Sequence, residues 1–208
     1  MLPISESQAK TVYKWLMEHF GEEIKAEVLT SGLSFITPEL IAAIACQETA
    51  YKWLRWIEAF SPETILARCV FDASGDFPGT TRNAFPKNKE DFLSQYPQQL
   101  LDFLIDEGNK QRAMPQPDDP GGYNPANYLY KGYGIFQYDL QNIQYDLKFF
   151  DSGAWYSFDE CLKRLIAELR GKSKFISNPW HIVKMYNGSG TRATVYANNV
   201  FQFIEFFK

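Results

Sequence analysis

Glu48 is the residue whose surroundings best suit it to chemistry. It follows Leu40-Ile41-Ala42-Ala43-Ile44-Ala45-Cys46, a run without a single charge. A helix that is apolar on every face is a buried one. Its start is marked by Thr37-Pro38-Glu39: a capping residue, proline at the first helical position, and an acid at the positive end of the dipole. Leu40, Ile44 and Glu48 fall four apart and so share one stripe. A carboxyl on such a stripe loses hydration, which raises its pKa and keeps its proton near neutral pH. A general acid needs that property. The alternative is structural: the helix surfaces at Gln47-Glu48 and the carboxylate is solvated.

The elements that must position this acid are mostly helical. Residues 6 to 20 read as an amphipathic helix, with Ser5 and Gln8 at capping-box spacing and Gly21 as its stop. Residues 38 to 57 form the central helix. Ser61-Pro62-Glu63 opens another, to about Val70, and residues 89 to 111 give one or two helices broken near Pro97. Ser157 and Glu160 cap a helix through Leu169 with Gly171 beyond its end, and Asn178-Pro179 starts a short one to about Tyr186. The last runs from about Arg192 to Phe207, with Tyr196, Val200, Phe203 and Phe207 on one stripe. Residues 72 to 88 and 113 to 134 carry the breakers and read as long loops. Four tyrosines in the second loop, Tyr123, Tyr128, Tyr130 and Tyr133, argue against disorder there. A short sheet is expected near these loops. No linker or repeat divides the chain, so residues 1 to 208 are expected to form a single domain.

Composition removes several classes of function. A net charge of -4 and a pI near 5.3 leave no basic footprint for nucleic acid. Two histidines, His19 and His181, without HExxH or CxxC give no metal site, and no cofactor is implied. Cys46, Cys69 and Cys161 are odd in number and far apart, so they read as buried thiols. No apolar run approaches the ~20 residues of a membrane span. No basic segment followed by an apolar one marks the N-terminus as a signal peptide. The chain is therefore expected to be cytoplasmic as synthesised. The oligomeric state is open.

Four segments in order resemble the lysozyme-like superfamily, specifically goose-type lysozymes and soluble lytic transglycosylases. Gln47-Glu48-Thr49 stands where the family has its catalytic Glu, usually followed by Ser. Gly132-Tyr133-Gly134-Ile135-Phe136-Gln137-Tyr138-Asp139 looks like the Gly-Leu-Met-Gln segment, with the Asp that goose-type members carry two residues later. Met185-Tyr186-Asn187-Gly188-Ser189-Gly190 is similar to the Ala-Tyr-Asn-x-Gly segment. Tyr196-Ala197 with Val200 matches the Tyr-Val pair of the last helix. The resemblance covers roughly residues 37 to 205. It departs at Thr49 for Ser, at Phe136 for Met, and in the interval of about 85 residues between Glu48 and Gly134, where residues 72 to 133 hold an insertion.

The resemblance implies a mainly α, lysozyme-like fold and cleavage of the β-1,4 bonds of peptidoglycan, with Glu48 protonating the leaving oxygen. Asp139 is then the candidate second carboxylate, which activates water in an inverting glycosidase at roughly 6.5–9.5 Å from the acid. Its alternative is an N-cap for a helix starting at Leu140. Asp72 and Asp76 are reserves. Thr49, Gly134, Ile135, Phe136, Gln137, Tyr186, Asn187 and Tyr196 are the expected substrate contacts. The glycines let backbone approach a sugar ring, the Gln137 amide bonds the acid or a sugar, and the tyrosine hydroxyls hold the Glu48 carboxyl or an N-acetyl group. Their alternatives are a tight turn at Gly132, a solvent-facing amide at Gln137, core packing for Tyr186 and Tyr196, and a helix cap at Asn187. Hydrolysis is the preferred reaction. The rivals are a lytic transglycosylase, whose substrate closes a 1,6-anhydro ring, a chitinase or chitosanase on the same fold, an inactive glycan-binding module, and a helical interaction protein. A wall substrate requires delivery by a signal-independent route.

Overall fold

The structure, a computed structural model, describes residues 1–208. In chain order it comprises α1 (Glu6–Ser31), α2 (Pro38–Ala45), a π-helical turn (Cys46–Ala50), α3 (Tyr51–Trp53), a 3-10 turn (Leu54–Trp56), α4 (Pro62–Ala67) and β1 (Val70–Phe71). Then come α5 (Lys89–Leu93), α6 (Gln98–Arg112), β2 (Gly132–Tyr133), β3 (Tyr138–Asp139), a 3-10 helix (Leu140–Gln144) and α7 (Leu147–Asp151). A 3-10 turn (Ala154–Tyr156), α8 (Phe158–Ser173), α9 (Pro179–Asn187) and α10 (Gly190–Phe207) complete it. The protein is mainly helical, as its patterning implies.

Side chains write most of the helix starts. Ser5 and Gln8 exchange the two bonds of a capping box. Thr37, Ser61, Asn88 and Asn178 each accept a bond from the backbone N–H three residues on. The break at Pro97 separates α5 from α6. Two glycine stops fail. The first helix bends at Phe20 (φ -133°) but continues past Gly21 and ends at Gly32, whose φ of 63° is the left-handed cap. Helix α8 runs through Gly171 to Ser173. The helix opened by Ser61 ends at Ala67, short of Val70, which enters the sheet.

The chain folds as two compact units, residues 1–55 with 159–208, and residues 56–158. In the first, α2 packs against α1 and α10, and α10 also packs against α9. Leu40 to Cys46 are buried without exception. Trp15 meets Trp53 at 5.0 Å between ring centroids, and Tyr13 stacks on Phe207 at 4.8 Å. Tyr196, Val200 and Phe203 form the buried stripe expected of α10. Leu162, Leu165, Ile166 and Leu169 bury one face of α8.

The second unit carries an antiparallel sheet in the order β1-β2-β3, with Val70 opposite Tyr133 and Gly132 opposite Asp139. Its position agrees with the short sheet expected near the two loops. Tyr133 packs against Trp155 at 4.7 Å and Phe150 at 5.4 Å. Residues 113–131 contain neither helix nor strand, yet they are tied down. Trp56 Nε1 donates to Pro115 O, Lys89 Nζ to Asn127 O, and Ala126 N to Asn109 Oδ1. The three cysteines are buried, and none is in a disulfide. No helix is long and apolar enough to cross a membrane.

One ion pair in this unit is almost dry. Lys131 Nζ donates to Asp76 Oδ2 at 2.7 Å and to Leu129 O, with side chains 0% and 3% exposed. Burial pulls the Lys131 pKa down while Asp76 pushes it back up. Removing one partner strands the other. Asp76→Ala should therefore lose about 3–5 kcal/mol of stability in urea denaturation. Asp76→Leu combined with Lys131→Met should recover most of it, and a single variant as stable as the parent contradicts this account.

Candidate active site

The residues of the first unit build a site around Glu48. Helix α2 keeps ordinary geometry to Ala45, where the π-helical turn Cys46–Ala50 takes over. A π turn holds more residues than an α turn, so it rotates the next stretch of helix relative to the one before it. Leu40 and Ile44 lie in the core at 2% and 0% exposure, whereas Glu48 is half-buried. The widened turn takes the carboxyl off the fully dry stripe without returning it to water. Such turns recur at functional sites. Thr49, on the same turn, is buried and accepts a bond from Trp53 Nε1 at 2.8 Å. Its hydroxyl braces the helix in place of the substrate contact expected of it.

Tyr196 on α10 donates its phenolic hydrogen to Glu48 Oε1 at 2.6 Å. Burial is the largest influence on the Glu48 carboxyl and raises its pKa from 4.5 to about 7; the Tyr196 bond opposes that rise, and the nearby Glu168 carboxyl adds to it. Tyr186 on α9 stands 6.2 Å from Tyr196 between ring centroids. Burial, reinforced by the charge of Glu48, holds both phenols well above their ordinary pKa. They therefore remain hydrogen-bond donors across the neutral range.

Beside this group lies a cleft of about 360 Å³, lined by Gln47, Asn187, Thr191, Arg192, Val195 and Tyr196. Asn187 is the last residue of α9, and Gly188 (φ 116°) turns the chain toward α10. Gln47 appears in the sequence only as part of the segment around Glu48, and Thr191, Arg192 and Val195 are not among the residues the sequence singles out for the site. A signal for Arg192 is nonetheless there: it lies four residues before Tyr196 on one helix, so the two share a face. No group of three or more His, Cys, Asp or Glu side chains converges as metal ligands do.

The remaining candidates gather in the second unit, on and beside the β2–β3 hairpin. Ile135 and Phe136 are buried, Phe136 against Phe158 at 5.7 Å, so they pack and do not reach solvent. Gly134 adopts a φ of 79° and its N–H bonds Cys69 O, which fits a turn glycine. Gln137, itself at φ 55°, donates its amide to Gly134 O at 2.8 Å and Cys69 O at 3.5 Å. Its amide thus ties the hairpin together instead of offering itself to an acid or a sugar. A Cβ at Gly132 would meet Gln137 Oε1 at 2.2 Å, so that glycine makes room for the glutamine, not for a ligand.

Asp139 has taken its structural alternative. It caps the 3-10 helix at Leu140, with Oδ1 accepting from Gln141 N at 2.7 Å, and the same oxygen receives Arg82 Nη2 at 2.5 Å. Of the two reserve acids, Asp76 is buried against Lys131, and Asp72 faces Arg82 at 3.8 Å.

No protein-family model, curated protein or solved structure matches the chain significantly.

The Glu48 environment dictates two outcomes. Tyr196→Phe removes the one influence that lowers the carboxyl's pKa, so titration of Glu48 observed by NMR should move above about 7. The sign for stability is also fixed. Below pH 4.5 both folded and unfolded chains hold the proton; from 4.5 to about 7 only the folded chain does, and stability falls as pH rises through this window. Glu48→Gln is neutral throughout and avoids that loss. Its melting temperature should match the parent near pH 4 and exceed it by several degrees at pH 8, measured by calorimetry.

Proposed function

We propose that the protein cleaves β-1,4 glycosidic bonds of bacterial peptidoglycan, with Glu48 as the general acid. The Glu48 carboxyl carries the reading: it is held by Tyr196, partly desolvated, and titrates near 7. Such a group keeps its proton in place at neutral pH and yields it to a glycosidic oxygen as the C1–O4 bond breaks. Three of the four segments that resemble goose-type lysozymes and lytic transglycosylases, at Glu48, at Tyr186-Asn187 and at Tyr196, meet in one unit beside an open cleft. That convergence supports the reading over a glycan-binding module, which has no use for a protonated carboxyl.

The engagement of Asp139 bears on the second half of the reaction. Asp139 already spends Oδ1 on both Arg82 and Gln141 N, which gives the carboxylate a structural role as cap and ion-pair partner. We therefore favour a route with one catalytic carboxylate. Glu48 gives its proton to O4, the substrate's own C6 hydroxyl forms a new bond to C1, and its proton returns to Glu48. The product is a 1,6-anhydro sugar, one water lighter than the hydrolysis product.

Glu48→Gln should abolish release of soluble fragments from purified peptidoglycan. Mass spectrometry of the wild-type digest should give anhydro ends. Asp139→Asn keeps the cap, because Asn caps as well as Asp, and should stay within a few-fold of the wild-type rate. A loss of the 10²–10⁴ typical of an acid–base group, together with reducing ends, would return the reaction to hydrolysis with Asp139 as base. Cleavage of chitin but not of peptidoglycan would change the substrate.

A further inference from the structure

Charge is unevenly distributed along the chain. Residues 169–204 hold Arg170, Lys172, Lys174, Lys184 and Arg192 and not one Asp or Glu, although the whole chain carries 25 acids against 21 Lys and Arg. The stretch lies wholly in the first unit. A basic segment in an acidic protein points to an anionic partner. The ion pairs of α8 lie upstream, where Lys163 and Arg164 meet Asp159 and Glu160. Arg170 is spent on Ser31 O at 2.8 Å. Lys172, Lys174 and Lys184 pair with no carboxylate.

Helix dipoles explain part of this pattern, since Lys172 and Lys184 stand in the last turns of α8 and α9. They do not explain Lys174, which lies beyond α8, nor the apolar side chains beside it. Residues 174–178 join α8 to α9, and in this short connection Phe175 is 81% exposed. A turn in which Phe175 N bonds Lys172 O holds it there. In the first turn of α9, Trp180 is half-buried. Lys184 Nζ lies 5.6 Å from its ring centroid, and its Nε1 donates to Asn198 Oδ1 at 3.0 Å. Met185 is exposed as well. Phe175 and Trp180 are five residues apart, so no more than ~18 Å separates their backbones and both serve one contact area.

We propose that the α8–α9 connection and α9 dock on an anionic lipid surface, with Phe175 entering the boundary between headgroups and chains and Lys172, Lys174 and Lys184 pairing with lipid phosphates. A hydrated polyanion would answer the lysines but leave Phe175 in water. A single-stranded nucleic acid needs a row of free rings on which to stack its bases. Here only Phe175 is open, because Trp180 is bonded to α10 and carries Lys184 over its ring. The surface of a bilayer takes both the charges and the ring. No helix is able to span it, so the contact is peripheral.

The test is co-sedimentation of the full-length protein with phosphatidylcholine vesicles containing about 30% phosphatidylglycerol, against phosphatidylcholine alone. The protein should pellet with the first and stay in solution with the second. Raising the salt from about 0.1 M to about 0.5 M should release it. Lys172→Gln combined with Lys174→Gln should weaken binding about thirtyfold, at about fivefold for each cation near the surface. Phe175→Ser should weaken it about tenfold. These side chains lie outside the core, so each variant should keep the parent's melting temperature, which shows that it has folded. Phe175→Trp should bind, and its added fluorescence should shift to the blue on the anionic vesicles only. Equal binding to the two kinds of vesicle, or none to either, overturns the proposal. So does binding indifferent to Phe175→Ser or to the paired lysine change, or an added tryptophan whose emission does not move. Retention by polyphosphate or by an oligonucleotide without binding to vesicles also overturns it, since the partner would then be a soluble polyanion.

Discussion

A carboxyl group moved out of water must be met by a donor, and in this protein the donor is Tyr196. The bond spans 148 residues of sequence and joins the π turn after α2 to the buried stripe of α10. It also sets a balance. Full burial with no donor would push the acid's pKa too high for it to exchange its proton near neutrality. A generous set of donors would hold it ionised. One phenol on one oxygen leaves it near 7. The apolar run from Leu40 to Cys46 supplies the dryness and the widened turn limits it, so packing and chemistry answer to the same few residues.

Much of this was legible in the chain because it is local. Caps at Ser5, Thr37, Ser61 and Asn178 and the break at Pro97 depend only on neighbours in sequence, and so does the stripe Tyr196-Val200-Phe203. The π turn was not legible, since Cys-Gln-Glu-Thr-Ala has nothing in its composition to distinguish it from an α turn. Gly21 misled because a glycine ends a helix only when the chain needs a left-handed residue there; that need arises at Gly32. At the hairpin, residue types suggested ligand contacts. Gln137 spends its amide mainly on Gly134 O, three residues back, a bond that depends on the left-handed turn between them and that residue types alone do not announce. Asp139 sat between two readings, a cap and a base. The cap was a matter of its neighbours, while Arg82, which pairs with the capping oxygen, comes from a loop without periodicity.

The second unit shows how long loops are held without regular structure. Hydrophobic burial alone does not fix a loop, because its backbone groups still need partners. Here charged side chains supply many of them. Lys131 donates to Leu129 O as well as to Asp76, Lys89 to Asn127 O, and Arg112 Nε to Asn124 O. A buried pair contributes less net stability than its geometry suggests, since desolvation offsets attraction. Such pairs act instead by penalising any other arrangement of the loop, which would leave one charge alone.

The order of the units along the chain has a consequence for synthesis. Residues 56–158 form one unit lying wholly between the two halves of the other. On a ribosome the enclosed unit has all its residues before α9 and α10 exist. At about 5–20 residues per second, Glu48 emerges roughly 7–30 seconds ahead of the tyrosine that will hold it, 148 residues later. Through that interval α2 has α1 beside it but no α10, and the apolar face that α10 will cover is open to chaperones or to other nascent chains. The acid stays solvated, with the pKa of an ordinary glutamate, and becomes a proton donor for neutral pH only when α10 closes over it.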